Sequence, residues 1–439
     1  MATHEPEQAS PSSSRPGVER VESLITVDDY ELRLALIEDI RKISQRSRGP
    51  KKPALTGLEF SYLINMPLDR LRNLKGLLPV SSTTLLPLIN DLGNATWWFL
   101  QKTAYKIEFP QEPQDNSSTK TVSSQGSVTK PRSSSKSHAS GKRSASGGST
   151  LLNAIANASV GTSKDTEIYQ SGCLRDECLE LDEGRCVVTG ASNSHVCHIV
   201  PFSWFENEHN VGFTNRFVSA LELVIDFQSD DLQLEAMSKL REGVGCTDRL
   251  WNLVCLSPQL HKWWDHAYFG LKYYGRNDSE EEGFVEIHLQ FVWMLRNISQ
   301  FAKKQIALDQ QAHPSTSLSV SLNHRYGGQT MAPCSDSTCN DCQAIRRVKA
   351  YDSTGQPIVN GQIITVKRRR ENASLFEAMI KIQWAVIRAA AVSGGALAPG
   401  ELRSFSEDSD GGGEDSPTGV EEEDPVATTE RIHDWLDHI

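Results

Sequence analysis

Residues 111–164 include the stretch "NSSTKTVSSQGSVTKPRSSSKSHASGKRSASGG" and contain no aromatic side chain. A run of this composition cannot bury enough apolar surface to offset the entropy of ordering it, so any folded core must form on either side of it. We read 111–165 as a flexible, Ser-rich basic linker whose hydroxyls are open to phosphorylation, which would reverse its charge. Residues 116–164 hold seven Lys and Arg and no carboxylate, whereas 401–439 hold thirteen Asp and Glu against Arg403 and Arg431. The net charge of −11 therefore resides in the C-terminal tail, and 396–439 reads as acidic and disordered.

The rest of the chain is rich enough to fold. Of 439 residues, 38% are hydrophobic, which allows a sizeable core and about two to four domains. Residues 1–20 are polar and Pro/Ser-rich, read as disordered and do not resemble a secretory signal. The longest apolar candidate, "SLFEAMIKIQWAVIRAAAV", contains Glu377, Lys381 and Arg388, so it reads as a buried amphipathic helix and not a membrane span. Nine cysteines without a signal sequence point to reduced thiols in an intracellular protein, nuclear or cytoplasmic, with no membrane partner.

Periodicity divides the folded parts further. Residues 21–110 read as a helical N-terminal module: "DDYELRLALIEDIRKI" places Leu32, Leu36, Ile40 and Ile43 on one face, and "LEFSYLINMPLDRLRNLKGLL" reads as two short helices broken near Pro67. Residues 301–350 read as a mixed linker. Its Cys334, Cys339 and Cys342 have knuckle-like spacing that could bind zinc, with a reduced surface loop as the default. Residues 351–395 read as a hairpin turning at Asn360-Gly361, followed by a helix capped by Ser374 with Glu377 and ending near Gly394. "VKRRR" before that helix is either an import signal or phosphate contact, or a solvated turn.

The chemistry lies in 166–300. In "GRCVVTGASNSHVCHIVPF", 186–189 reads as a strand closed by Gly190, and 195–200 as its hairpin partner stopping at Pro201. Alternation then puts Val196 and His198 on one face, and His195 and Cys197 on the other. In "RLWNLVCLSPQLHKWWDH", 253–256 reads as a strand, Ser257 as an N-cap and Pro258 as the first helical residue. His261 and Asp265 then fall four apart on one helix face, a spacing that can hold one divalent cation.

Together "RCVVTG", "HVCHIVPF" and "WNLVCLSPQLHKWWD" resemble the HNH endonuclease family, most closely the HNH-domain proteins found in fungi. The resemblance implies an α+β protein with a ββα-metal core carrying helical insertions, flanked by the helical module, linker and tails. It implies His198 as the general base, Asn252 as the brace that orients it, and His261 as a metal ligand, with Asp265 where a further ligand can sit. The residue before the base is often an Asp or His ligand in the family. Here it is Cys197, which suits Zn²⁺ and suits Mg²⁺ poorly. Some HNH proteins also hold a structural zinc on paired Cys-x-x-Cys knuckles. The positions three after Cys186 and Cys255 are Thr189 and Pro258, so we expect none.

The expected activity is hydrolysis of DNA phosphodiester bonds with one divalent cation, Mg²⁺, Mn²⁺ or Zn²⁺. Charge does not favour it: 166–300 hold ten Lys and Arg against twenty-one Asp and Glu, the reverse of the usual nucleic-acid footprint. The rival expectation is a non-catalytic HNH-like module that binds nucleic acid or protein.

Overall fold

The computed structural model of the chain describes residues 17–50, 52–100, 172–227, 230–296, 302–313, 318, 324–325 and 349–394. The expectations for residues 1–16, the Ser-rich linker, the Cys334/Cys339/Cys342 cluster and the acidic tail fall outside the described residues. Helices and small sheets are mixed, as expected of an α+β protein.

Helix α1 spans Tyr30–Arg48, and its buried positions are Tyr30, Arg33, Ile37, Ile40 and Ser44. The expected stripe is therefore displaced, with Leu32 40% exposed. The buried face includes Arg33. Its guanidinium donates to the carbonyls of Ile64 and Met66, just beyond helix α2 (Gly57–Leu63), where helix-end carbonyls lack intrahelical partners. Helix α2 starts with a capping box between Thr56 and Glu59. The break near Pro67 is present, but the next helix is long: α3 runs Leu68–Leu100, with a kink at Ser81 two residues after Pro79.

Helix α4 (Gly172–Leu181) leads towards strand β1 (His195–His198). The expected hairpin between 186–189 and 195–200 is not formed. Residues 187–189 make a turn in which Gly190 N–H donates to Cys186 O at 2.8 Å and Thr189 N–H to Cys186 Sγ at 3.4 Å. β1 instead pairs antiparallel with β2 (Leu253–Leu256), with His198 opposite Leu253 and His195 opposite Leu256. Every residue of β2 is buried, so its backbone groups must be satisfied internally. Its second edge is closed by Val187 N–H on Cys255 O (2.9 Å), the Asp182 carboxylate on Cys255 N–H (2.8 Å) and Arg368 on Leu253 O (3.2 Å).

Between β1 and β2 lie helices α5 (Glu208–Val224) and α6 (Asp230–Leu240). Helix α5 and the 3₁₀ turn before it (Phe202–Phe205) pack on α3: Phe99 of α3 meets Trp204 edge-on at 5.9 Å, and Trp98 stacks on Phe213 at 6.4 Å. Helix α7 (Pro258–Asp265) begins as its sequence requires, with Ser257 Oγ accepting from Leu260 N–H and Pro258 in the first turn.

Strands β3 (Phe269–Asp278), β4 (Phe284–Trp293) and β5 (Ile363–Arg369) form an antiparallel sheet in the order β3-β4-β5. The hairpin expected at Asn360-Gly361 is absent because β5 takes the edge of β4, with Ile287 opposite Val366. There Ile364 and Val366 alternate inward with the period of a half-buried strand. Gly361 adopts φ 91°, and a Cβ there would lie 2.1 Å from Glu19 O, so only glycine fits this close approach. Asn360 accepts the N–H of Trp293 at 2.9 Å.

Helix α8 (Arg370–Ser393) follows β5 directly, so Ser374 lies a turn inside and caps nothing. Its end is as expected, with Gly394 in the left-handed region at φ 80°. Most of α8 is buried, and it packs on β3, α2 and α6.

Candidate active site

The site is organised by a buried asparagine. Asn252 is 0% exposed and ends the short 3₁₀ turn that leads into β2. Its Oδ1 accepts from Val200 N–H at 2.8 Å, while its Nδ2 donates to Val200 O (2.8 Å) and Thr247 O (2.9 Å). Its backbone carbonyl accepts from Ile199 N–H at 2.8 Å. These bonds lock the chain just after His198 to the loop just before Asp248. Water has no access to replace them, so a side chain that cannot make them leaves buried groups unsatisfied.

The two segments so joined carry a pair that meets. His198 Nε2 lies 3.1 Å from Asp248 Oδ1, with side chains 10% and 9% exposed. The Phe202 ring lies against His198, centroids 5.5 Å apart.

On α7, His261 Nε2 stands 3.8 Å from Asp265 Oδ2. With metal–ligand bonds of about 2.0–2.2 Å, two ligands on one cation are separated by roughly 3–4 Å, so this donor pair fits a shared divalent ion. Cys197 is placed differently. It is 2% exposed, packs within the core and directs its thiol to the carbonyl of His195 at 3.3 Å. His195 itself is exposed, with its ring 5.8 Å from that of His261 and perpendicular to it.

Residues 186–272 match the family model described as HNH endonuclease. The match takes in β1, β2 and α7, and thus His198, Asn252, His261 and Asp265; α1–α3 and α8 lie outside it. No curated protein and no solved structure matches the chain.

A further group of potential ligands joins α4 and the turn after it to β2, with Cys255 inside the matched residues and the other two before them. Sγ of Cys178, a carboxylate oxygen of Asp182 and Sγ of Cys255 lie within 4.8 Å of one another, the group of three with this property among the described residues. Such donors could hold a soft ion. Arg368 already supplies the positive charge there, with Nη1 2.6 Å from Asp182 Oδ1 and Nη2 3.3 Å from Oδ2. The Cys178 thiol is pushed far up by its contact with Cys255 (Sγ–Sγ 3.9 Å), and next by burial. A metal there would have to displace that proton, because it binds the thiolate. Burial alone would lower the Arg368 guanidinium, but Asp182 more than offsets this and raises it.

The "VKRRR" run is neither a turn nor a bare basic patch. It lies in β5 and the first residue of α8, and each cation faces a carboxylate: Lys367 with Glu281, Arg368 with Asp182, Arg369 with Glu177 and Arg370 with Asp278. The Trp263-Trp264 pair packs: Trp264 is 1% exposed and Trp263 stacks on Tyr268.

Two pairings, His198 with Asp248 and Asp182 with Arg368, escaped the sequence reading. Asp248 lies four residues before Asn252, close enough to have been noticed as a carboxylate beside the brace. Asp182 and Arg368 carry no local signal, because they are 186 residues apart in the chain.

Proposed function

We propose that the protein is a metal-dependent endonuclease that hydrolyses DNA phosphodiester bonds, and that β1, β2 and α7 form its ββα-metal core. The observation that carries this reading is the bonding of Asn252, which fixes the segment bearing His198 to the next strand of the HNH region. That is the orienting role the resemblance gives to the central Asn. In this reading His198 takes a proton from the attacking water. Asn252 holds the backbone beside that base, and His261 with Asp265 hold the cation. The cation, when bound, stabilises the charge that builds on the phosphate and the leaving oxygen. Cys197, turned into the core, plays no part. Nicking of supercoiled plasmid with Mg²⁺, Mn²⁺ or Zn²⁺, lost in His198→Ala, tests the assignment.

A second reading, a non-catalytic HNH-like module, is favoured by one observation: the cations of β5 are neutralised by carboxylates, which leaves little charge there for a phosphate backbone. It predicts no nicking with any ion and no divalent cation bound in calorimetry. Among the described residues no helix is long and apolar enough to cross a membrane. The described cysteines are free, which suits a reducing compartment, and on that ground we take the protein to act inside the cell, in nucleus or cytoplasm.

A further inference from the structure

The contact between His198 and Asp248 engages one of the two ring nitrogens, Nε2. An ionised carboxylate has no proton to give, so with Asp248 charged, Oδ1 at 3.1 Å from Nε2 favours the hydrogen on Nε2. We propose that Asp248 is the positioning residue of this site: it fixes His198 as the Nε2–H tautomer, so that the lone pair that accepts the proton of water lies on Nδ1. This deepens the reading of His198 as the base and rests on it.

Three features support a built arrangement over a chance ion pair. Both side chains are about nine-tenths buried, where a hydrogen bond to a charged acceptor is stronger than in water. The backbone that carries Asp248 is itself held, because its N–H donates to Gly245 O at 3.1 Å and its carbonyl accepts from Arg249 Nη1 at 2.9 Å. Finally, Asn252 binds the carbonyl of Thr247, the residue before Asp248, with the same amide nitrogen that binds Val200 O. One side chain therefore sets the distance between base and carboxylate.

The step balances as follows. An O–H bond of water breaks and its proton goes to Nδ1 of His198. The hydroxide oxygen bonds to phosphorus, the bond from phosphorus to the leaving sugar oxygen breaks, and that oxygen takes a proton from solvent. The imidazolium formed keeps its Nε2–H on Asp248, whose charge it partners until the proton is released.

The test uses the full chain with ¹⁵N-labelled histidine, where nitrogen chemical shifts distinguish a protonated from a bare ring nitrogen. The His198 signals are identified by their loss in His198→Gln. At a pH where the ring is neutral, wild type should show Nε2 protonated and Nδ1 bare. In Asp248→Asn the amide can donate or accept, so the signals should move to a mixture of tautomers. Plasmid cleavage should fall by about 10²–10⁴-fold in kcat, by analogy with the loss when an orienting Asp becomes Asn in a Ser-His-Asp triad, with KM little changed. Asp248→Glu should recover part of both. A wild-type His198 protonated on Nδ1 overturns the proposal, as does an Asp248→Asn variant with unchanged tautomer and kcat. Equal cleavage by His198→Ala and wild type would defeat the base reading by itself, because the tautomer is read without activity.

Discussion

Asp182 and Arg368 meet as an ion pair at 2.6 Å with both side chains 1% exposed. The pair also supplies the hydrogen bonds that a third strand would give to β2: Asp182 accepts from Cys255 N–H and Arg368 donates to Leu253 O. Through it β5 and α8 are tied to the strand opposite His198.

Breaking one side of this pair should cost more than breaking both. Arg368→Met strands a buried carboxylate, and we expect a loss of about 3–5 kcal/mol in unfolding free energy. Adding Asp182→Leu should restore part of that, but not all, because Cys255 N–H and Leu253 O still lose their partners. Urea denaturation of the two single variants and the double variant measures both effects.

Removing the brace should affect stability and activity together. Asn252→Ala deletes three buried hydrogen bonds and leaves groups of Val200 and Thr247 without them. At about 1 kcal/mol or more per bond, the expected loss is roughly 3 kcal/mol. Plasmid cleavage should also fall at temperatures where the variant remains folded by circular dichroism.

Much of the local structure was legible in the sequence, and what failed was non-local. The start of α7 at Ser257-Pro258 and the end of α8 at Gly394 follow from side chains within a turn of the event. The partner of β1 was misread because the residues that complete its register lie some 50 positions on, as with Val200 and Asn252. Asn360-Gly361 looked like a hairpin turn, but the free edge of β4 was a better partner for β5 than residues 357–359. The buried face of α1 includes Arg33, which binds carbonyls just beyond α2, a contact that hydrophobic periodicity does not register. The candidate site residues could be read one by one, whereas the link from His198 to Asp248 through Asn252 needed the fold.

Cation binding should separate Cys197 from the α7 pair. Calorimetric titration with Mn²⁺ or Zn²⁺ should show affinity reduced at least tenfold in His261→Ala and in Asp265→Ala. Cys197→Ala should bind as wild type does and lose only packing. Affinity lost in Cys197→Ala with the α7 variants unaffected would place the ion on the thiol.

Stability should decline on the alkaline side. Burial pushes the Cys246 thiol up to about 12, so the folded state holds its proton where the unfolded chain, at an ordinary thiol value near 9, releases it. The contribution is complete below pH about 9 and is lost as pH rises towards 12. Melting temperature measured from pH 8 to 11 should fall, and fall less steeply in Cys246→Ala.

The most direct test of the central claim is plasmid nicking by purified full-length protein, with wild type and His198→Ala assayed side by side in Mg²⁺, Mn²⁺ and Zn²⁺. The account predicts cleavage by wild type with at least one of these ions and a loss of activity in a variant that stays folded. Equal cleavage by the two proteins, or none by wild type with any ion, would contradict it.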